Sequence, residues 1–326
     1  LRLRELDSLR GIAAFAVILF HYYYRYPKIF NVENSLDIFY FGQYGVHLFF
    51  IISGFVISHS IVNLNSPVKF LKKRFLRLYP TYWICMTITY LIVTFFGLPG
   101  REVAFVEWIG NFLMVQSLFG IKSVDGVYWS LTVEVLFYCL ISILIIKAFR
   151  KYSDILVFLW IGAIFINTVY KIPYFDVLLN LKYGPYFIAG IIFSKLYYDQ
   201  QYNIKNYIVL FLSILCAFII DSTLIGCFII SILYCLFFLL TRNKLKPLDN
   251  NLLVFMGSIS YPLYLIHQNI GYVILSYIKI NTDILFVKYS YYLIPILPVV
   301  AISYLIHVYC EIPIQRIFRP ILIREK

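Results

Sequence analysis

Apolar residues fill this chain in long blocks separated by short polar stretches, and the blocks set the architecture. Ten of them read as spanning helices: residues 9–26, 44–62, 80–97, 127–148, 155–171, 184–199, 206–221, 223–241, 252–276 and 289–310. A helix needs about 20 apolar residues to cross a hydrocarbon core of about 30 Å. The stretch 107–120 is too short and mixed for that and reads as a re-entrant or interfacial helix. Asp221-Ser222-Thr223, between the seventh and eighth blocks, predicts a hairpin turn. The expected fold class is all-α: a polytopic transmembrane bundle of about ten helices, one domain over residues 1–326.

Composition supports a membrane protein. Charged residues are only 13% and hydrophobic residues 62%, where a soluble domain carries about 25% charged residues. A net charge of +12 would suggest nucleic acid in a soluble protein. Here the cations flank apolar blocks, so they read as a topology signal and no nucleic-acid partner is expected.

Ten crossings with both termini on one side place 20 of the 28 basic residues there, in groups around 2–10, 69–77, 147–151, 195–205, 242–246 and 316–326. The other side receives Arg25, Lys28, Arg101, Lys122, Lys171, Lys182, Lys279 and Lys288, or 8. That split makes both termini cytoplasmic and the chain a multi-pass protein of a cell membrane, bacterial inner or plasma, with the lipid bilayer as its first partner. The first block follows arginines as a signal peptide would. Tyr22-Tyr23-Tyr24-Arg25-Tyr26-Pro27 comes next instead of a small-residue cleavage site, so it reads as a retained helix with an aromatic belt. The six cysteines form no CxxC or Cys/His cluster, and neither a metal site nor a disulfide framework is expected.

Ionisable groups are costly in hydrocarbon, so those inside the blocks carry the candidate chemistry. On a helix, Asp7, Arg10, Ala14 and His21 fall within about 100° of one another. The rise from Arg10 to His21 is about 16 Å, roughly half a hydrocarbon core. That is a polar track part-way across the membrane; the bland alternative is His21 as packing glue between helices. In Lys69–Pro80, Lys73, Arg74 and Arg77 recur at helical spacing before Tyr79. Arginine forks suit phosphates, as on a nucleotide or coenzyme A. Anchoring to anionic lipid predicts the same cluster. After Trp129, the residues Ser130, Glu134 and Tyr138 share one helix face. Glu134 is either a functional carboxylate or half of a structural ion pair. Between Gly257 and His267, Pro262 is expected to kink the helix and turn Tyr264 and His267 toward the bundle or a cavity. His47 and His307 read as helix-end or packing histidines, and Glu311 as a cap or ion-pair partner.

Several of these motifs coincide in order. Leu6-Asp7-Ser8-Leu9-Arg10-Gly11 with His21, Gly45-Val46-His47 through Ser53-Gly54-Phe55, and Lys73-Arg74 to Arg77 with Tyr79-Pro80 come first. Trp129-Ser130 with Glu134 and Tyr138, Ser258 to His267, and Glu311-Ile312-Pro313 follow. Together they resemble the acyltransferase 3 family of integral membrane O-acyltransferases over essentially the whole chain.

The resemblance implies transfer of an acyl group, usually acetyl, from cytoplasmic acyl-CoA to a hydroxyl of an extracytoplasmic carbohydrate such as a cell-surface polysaccharide. Acetyl-CoA, or another acyl-CoA, is then the donor and a carbohydrate the acceptor, with no metal; homo-oligomerisation stays open. Some members carry a fused SGNH-hydrolase-like domain, and this chain resembles the stand-alone ten-helix type. By the same resemblance His21 is the base, supported by Arg10, Asp7 and Glu134. Lys73, Arg74, Arg77 and Tyr79 hold the donor, while Trp129, Ser130, Tyr138, Tyr261 and His267 meet the acceptor. Direct transfer and a covalent acyl-enzyme both remain open. The rival reading is a transporter or flippase for an anionic or glycosyl solute, although the internal repeat usual in transporters is not evident.

Overall fold

The computed structural model of the protein describes residues 3–32, 35–62, 64, 66–143, 153–278 and 289–322. Every regular element among the described residues is a helix. The end of the expected span 127–148 lies outside them. So do Arg2, Lys147, Arg150, Lys151, Lys279, Lys288, Arg324 and Lys326 of the charge pattern.

Among the described residues, five helical stretches are long and apolar enough to cross a membrane: Asp37–Ile61, Pro67–Phe96, Gly126–Ile143, Leu224–Thr241 and Tyr291–Pro320. Asp154–Tyr170 and Ile204–Ile220 are apolar but shorter. Large apolar side chains such as Phe95, Leu224 and Leu297 stand exposed on these helices, as a hydrocarbon surround requires.

The helices differ from the expected segments in three places. The basic cluster Lys69–Arg77 forms the start of the single helix Pro67–Phe96, which begins well before the expected span 80–97 and runs through Pro80 unbroken. The segment 252–276 is two helices, Asn251–Ser258 and Ser260–Tyr277, broken at Ile259. Pro262 therefore sits in a first helical turn, where its missing N–H leaves no bond unmade, and the expected kink is a break three residues earlier. The stretch 107–120 holds only the short helix Phe105–Asn111 and a 3-10 turn, Gln116–Phe119. Seven residues rise about 10 Å, far short of a crossing.

The chain groups into two compact units. The first comprises residues 1–13, 44–72 and 133–254. In it, Gly45–Ile61 packs on Gly184–Tyr198 at backbone distance. A Cβ on Gly54 would lie 2.3 Å from the Phe187 carbonyl oxygen, and one on Gly190 would lie 2.1 Å from that of Ile51. Small residues permit such approach where no water drives helices together. The expected hairpin is present: Ile204–Ile220 ends at Asp221, and Thr223 caps Leu224–Thr241 by accepting the Gly226 N–H at 3.0 Å.

The second unit comprises residues 14–43, 73–132 and 255–326. It contains two π-helical turns, Phe20–Arg25 and His307–Glu311, each starting at or beside a histidine. It also holds Ser260–Tyr277, whose buried face carries His267, Gln268 and Asn269 among apolar side chains.

Candidate active site

In the second unit, two histidines from segments far apart in sequence meet. The first helix, Arg4–Leu19, passes into the π turn Phe20–Arg25, a widened geometry that recurs at functional sites. His21 Nδ1 lies 2.8 Å from the Val17 carbonyl oxygen and 3.1 Å from His267 Nε2. The ring centroids are 4.9 Å apart in an edge-on arrangement. His267 Nδ1 in turn lies 2.8 Å from the Tyr264 carbonyl oxygen.

A carbonyl oxygen only accepts, so each Nδ1 carries the hydrogen. His267 Nε2 then accepts from His21, and the neutral His21 ring keeps its lone pair on Nε2. Tyr22 fixes the arrangement by donating its hydroxyl to the His267 carbonyl oxygen at 2.7 Å. Gly271 makes room for it, since a Cβ there would fall 2.2 Å from the Tyr22 hydroxyl.

Other polar groups of this unit close around the pair. The Tyr272 ring is 6.5 Å from that of His21, and its hydroxyl donates to the His21 carbonyl oxygen at 3.3 Å. Gln268 Nε2 donates to the same hydroxyl at 3.4 Å. The Arg101 guanidinium lies 5.8 Å from the Tyr272 centroid. Buried Asp125 accepts the Asn269 N–H at 2.9 Å and the Val127 N–H at 3.2 Å. Burial pushes its carboxyl up to about 6, against the pull of those N–H groups and Arg101.

The remaining sequence-predicted residues fall as follows. Ser130 and Tyr264 are within 2.7 Å of each other and share the Val127 carbonyl. Tyr261 donates to the Leu78 carbonyl oxygen at 2.8 Å, and Tyr79 to that of Leu113 at 3.1 Å. Lys73, Arg74 and Arg77 are half-buried along the start of Pro67–Phe96, and Trp129 is exposed.

In the first unit, Arg10 pairs with Asp7 at 3.1 Å. Glu134 accepts from Ser53 at 3.2 Å and from Tyr138 one turn on. The sequence reading did not single out Ser53 as a partner of Glu134, nor Asp125, Arg101, Gln268 or Tyr272. One signal was available for Gln268: His267-Gln268-Asn269 is a run of three polar residues inside an apolar helix.

Compared with known protein families, residues 3–308 match the acyltransferase 3 model, an acyltransferase domain. The chain belongs to the acyltransferase 3 family. It is similar to the O-acetyl transferase of Shigella phage Sf6, with 22% identity over 237 residues, 65% of this chain and 68% of the relative. It is also similar to nodulation protein 10 of Rhizobium leguminosarum bv. viciae, with 24% identity over 224 residues and 60% of each chain covered. The peptidoglycan O-acetyltransferase OatA of Listeria monocytogenes shares 26% identity over 152 residues, 41% of this chain and 22% of its own length. No solved structure matches. This acyltransferase 3 protein is thus an O-acyltransferase and a multi-pass membrane enzyme.

Proposed function

We propose that this enzyme transfers an acetyl group from acetyl-CoA, reached from the cytoplasm, to a hydroxyl of an extracytoplasmic carbohydrate at the cell surface. The observation that carries the reading is the placement of His21 Nδ1, 2.8 Å from the Val17 carbonyl oxygen and 3.1 Å from His267 Nε2. With Nδ1–H tied to the Val17 carbonyl and to His267, Nε2 is the basic nitrogen. A sugar hydroxyl is a poor nucleophile, and a positioned imidazole is the group that takes its proton near neutral pH.

His21 Nε2 accepts the hydroxyl proton as that oxygen attacks the thioester carbonyl. The new C–O ester bond forms as the C–S bond breaks, and His21 returns the proton to the departing thiolate. His267 holds the base in orientation. Of the groups in the first unit, Arg10, paired with Asp7, is the one suited to a developing negative charge, and Glu134, held by Ser53 and Tyr138, the one suited to a positive charge. Lys73, Arg74 and Arg77 bind the donor phosphates, with Tyr79 beside them. Trp129, Ser130 and Tyr261 face the acceptor. The topology that serves this chemistry is the one the cation pattern favours, with ten crossings and both termini cytoplasmic.

Mass spectrometry of surface glycans from cells with and without the gene tests the reading. One acetyl increment that depends on the gene is expected. Identical glycans, with a difference in uptake or export of a glycosyl solute, would favour transport instead.

A further inference from the structure

Next to the histidine pair in the chain, a buried hydrogen-bond acceptor without a partner lies against an exposed glycine, and the roles above leave it unused. Gly126 opens the turn before Trp129, is itself exposed, and carries no side chain. Two polar atoms close on the position its Cβ would take: Gln268 Oε1 at 2.7 Å and Arg101 Nη1 at 3.1 Å. Gln268 is only 4% exposed, and its Oε1 has no hydrogen-bond partner. An acceptor atom left unpaired in a buried place carries a desolvation penalty that a ligand's O–H would relieve. The Arg101 side chain reaches the Tyr272 face but donates to no side chain or carbonyl among the described residues. Gln268 follows His267 directly and bonds Tyr272, which bonds the His21 carbonyl, so these groups are linked to the base by hydrogen bonds.

We propose that Gly126, Gln268 and Arg101 form the subsite that anchors the acceptor, and that it recognises a sugar with two adjacent free hydroxyls. The inference rests on the carbohydrate-acceptor reading above. Gln268 Oε1 accepts from one sugar hydroxyl. Arg101 donates its fork to the oxygens of the neighbouring pair, a geometry a lysine lacks. Gly126 is required because a Cβ there would push Gln268 Oε1 and the Arg101 guanidinium away from these positions. The charge pattern puts Arg101 on the extracytoplasmic side, where such an acceptor is met.

The test uses the full chain in membranes, with acetyl-CoA and a panel of p-nitrophenyl glycosides and their 2-deoxy analogues. Arg101→Ala, Gln268→Ala and Gly126→Ala are each expected to raise the KM for the glycoside about tenfold, the first by loss of a charge-assisted hydrogen bond, the second by loss of a neutral one and the third because the methyl displaces both groups. The KM for acetyl-CoA should stay within about twofold. Arg101→Lys should recover only part of the loss, and Arg101→Ala should no longer distinguish glycoside from 2-deoxy analogue. Gly126→Ala guards against misfolding, because the atoms it displaces are ends of flexible side chains. Unchanged glycoside KM in all three variants, or an equal rise for both substrates, would overturn the subsite while leaving the carbohydrate reading intact. Wild-type protein that acetylates no glycoside while consuming acetyl-CoA would overturn that reading and this inference with it.

Discussion

His21 and His307 make an instructive pair within one unit. Both sit at a π-helical turn of a largely apolar helix, and both bond through Nδ1. The partners differ. His307 is satisfied inside its own turn, 2.7 Å from Glu311, with Gln315 of the same helix 3.4 Å from that carboxylate. His21 is held by Val17 of its own helix and by His267, 246 residues away; Gln268 and Tyr272 of the His267 helix and Arg101 of a third segment gather beside them. A histidine served by its own helix secures local structure. One served by segments distant in the chain points to an assembled site, because only a specific fold brings those groups together. We therefore propose His21 as the base in preference to the His–Glu pair, although a carboxylate partner looks more like a catalytic dyad on paper.

The strongest way to break this comparison is to swap the losses. His21→Gln should lower acetyl transfer by about 10²–10⁴-fold, the range removed with a general base. His307→Gln should leave transfer within about threefold and show its effect in thermal stability instead. Both are read as initial rates in membranes at matched protein levels. Transfer lost in the His307 variant and kept in the His21 variant would invert the assignment.

Disturbing the supports is the next test. His267→Gln leaves the base but removes its ring partner, and misplacement of this kind costs roughly 10²-fold. Glu311→Gln should cost far less activity. If both variants lose equally, assembled and local histidines are not distinguished by their supports.

What the sequence makes legible divides along the same line. Motifs within one helix could be read from spacing: Arg10 pairs with Asp7, and Tyr138 with Glu134, as their i+3 and i+4 positions allow. The hairpin at Asp221 was equally local. The pairing of His21 with His267 was not legible, because spacing says nothing about which helices touch. The π turn at Phe20 was missed because a tyrosine-rich run fits an ordinary helix equally well. Pro262 was read as a kink because its place in the first turn depends on a break at Ile259 that hydropathy does not mark. Arg101 was read only as a topology charge, since its neighbours come from residues 126, 268 and 272.

A donor-side variant sharpens the comparison by acting away from both histidines. Arg74→Ala or Arg77→Ala should weaken acetyl-CoA binding about tenfold through a lost charge-assisted hydrogen bond, with lysine restoring only part. Calorimetric or radioligand binding reads this directly. Unchanged affinity in both alanine variants would return these arginines to lipid anchoring.

The smallest expected effect concerns Asp125, which supports the histidine helix through the Asn269 N–H. Its carboxyl is pushed up to about 6 by burial, above an unfolded value of about 3.9. The folded state therefore holds the proton more tightly. The associated stability is present below about pH 4 and lost as pH rises through about 6. The melting temperature of wild type relative to Asp125→Asn should fall between those values. A flat difference would place Asp125 outside this linkage.

The central claim is that His21, held by His267, is the base of an O-acetyl transfer. Surface glycans from cells producing wild type, His21→Gln or His307→Gln at equal membrane levels test it most directly by mass spectrometry. The account predicts the acetyl increment with wild type and His307→Gln and its absence with His21→Gln. An acetyl increment of undiminished size in the His21→Gln cells would contradict it.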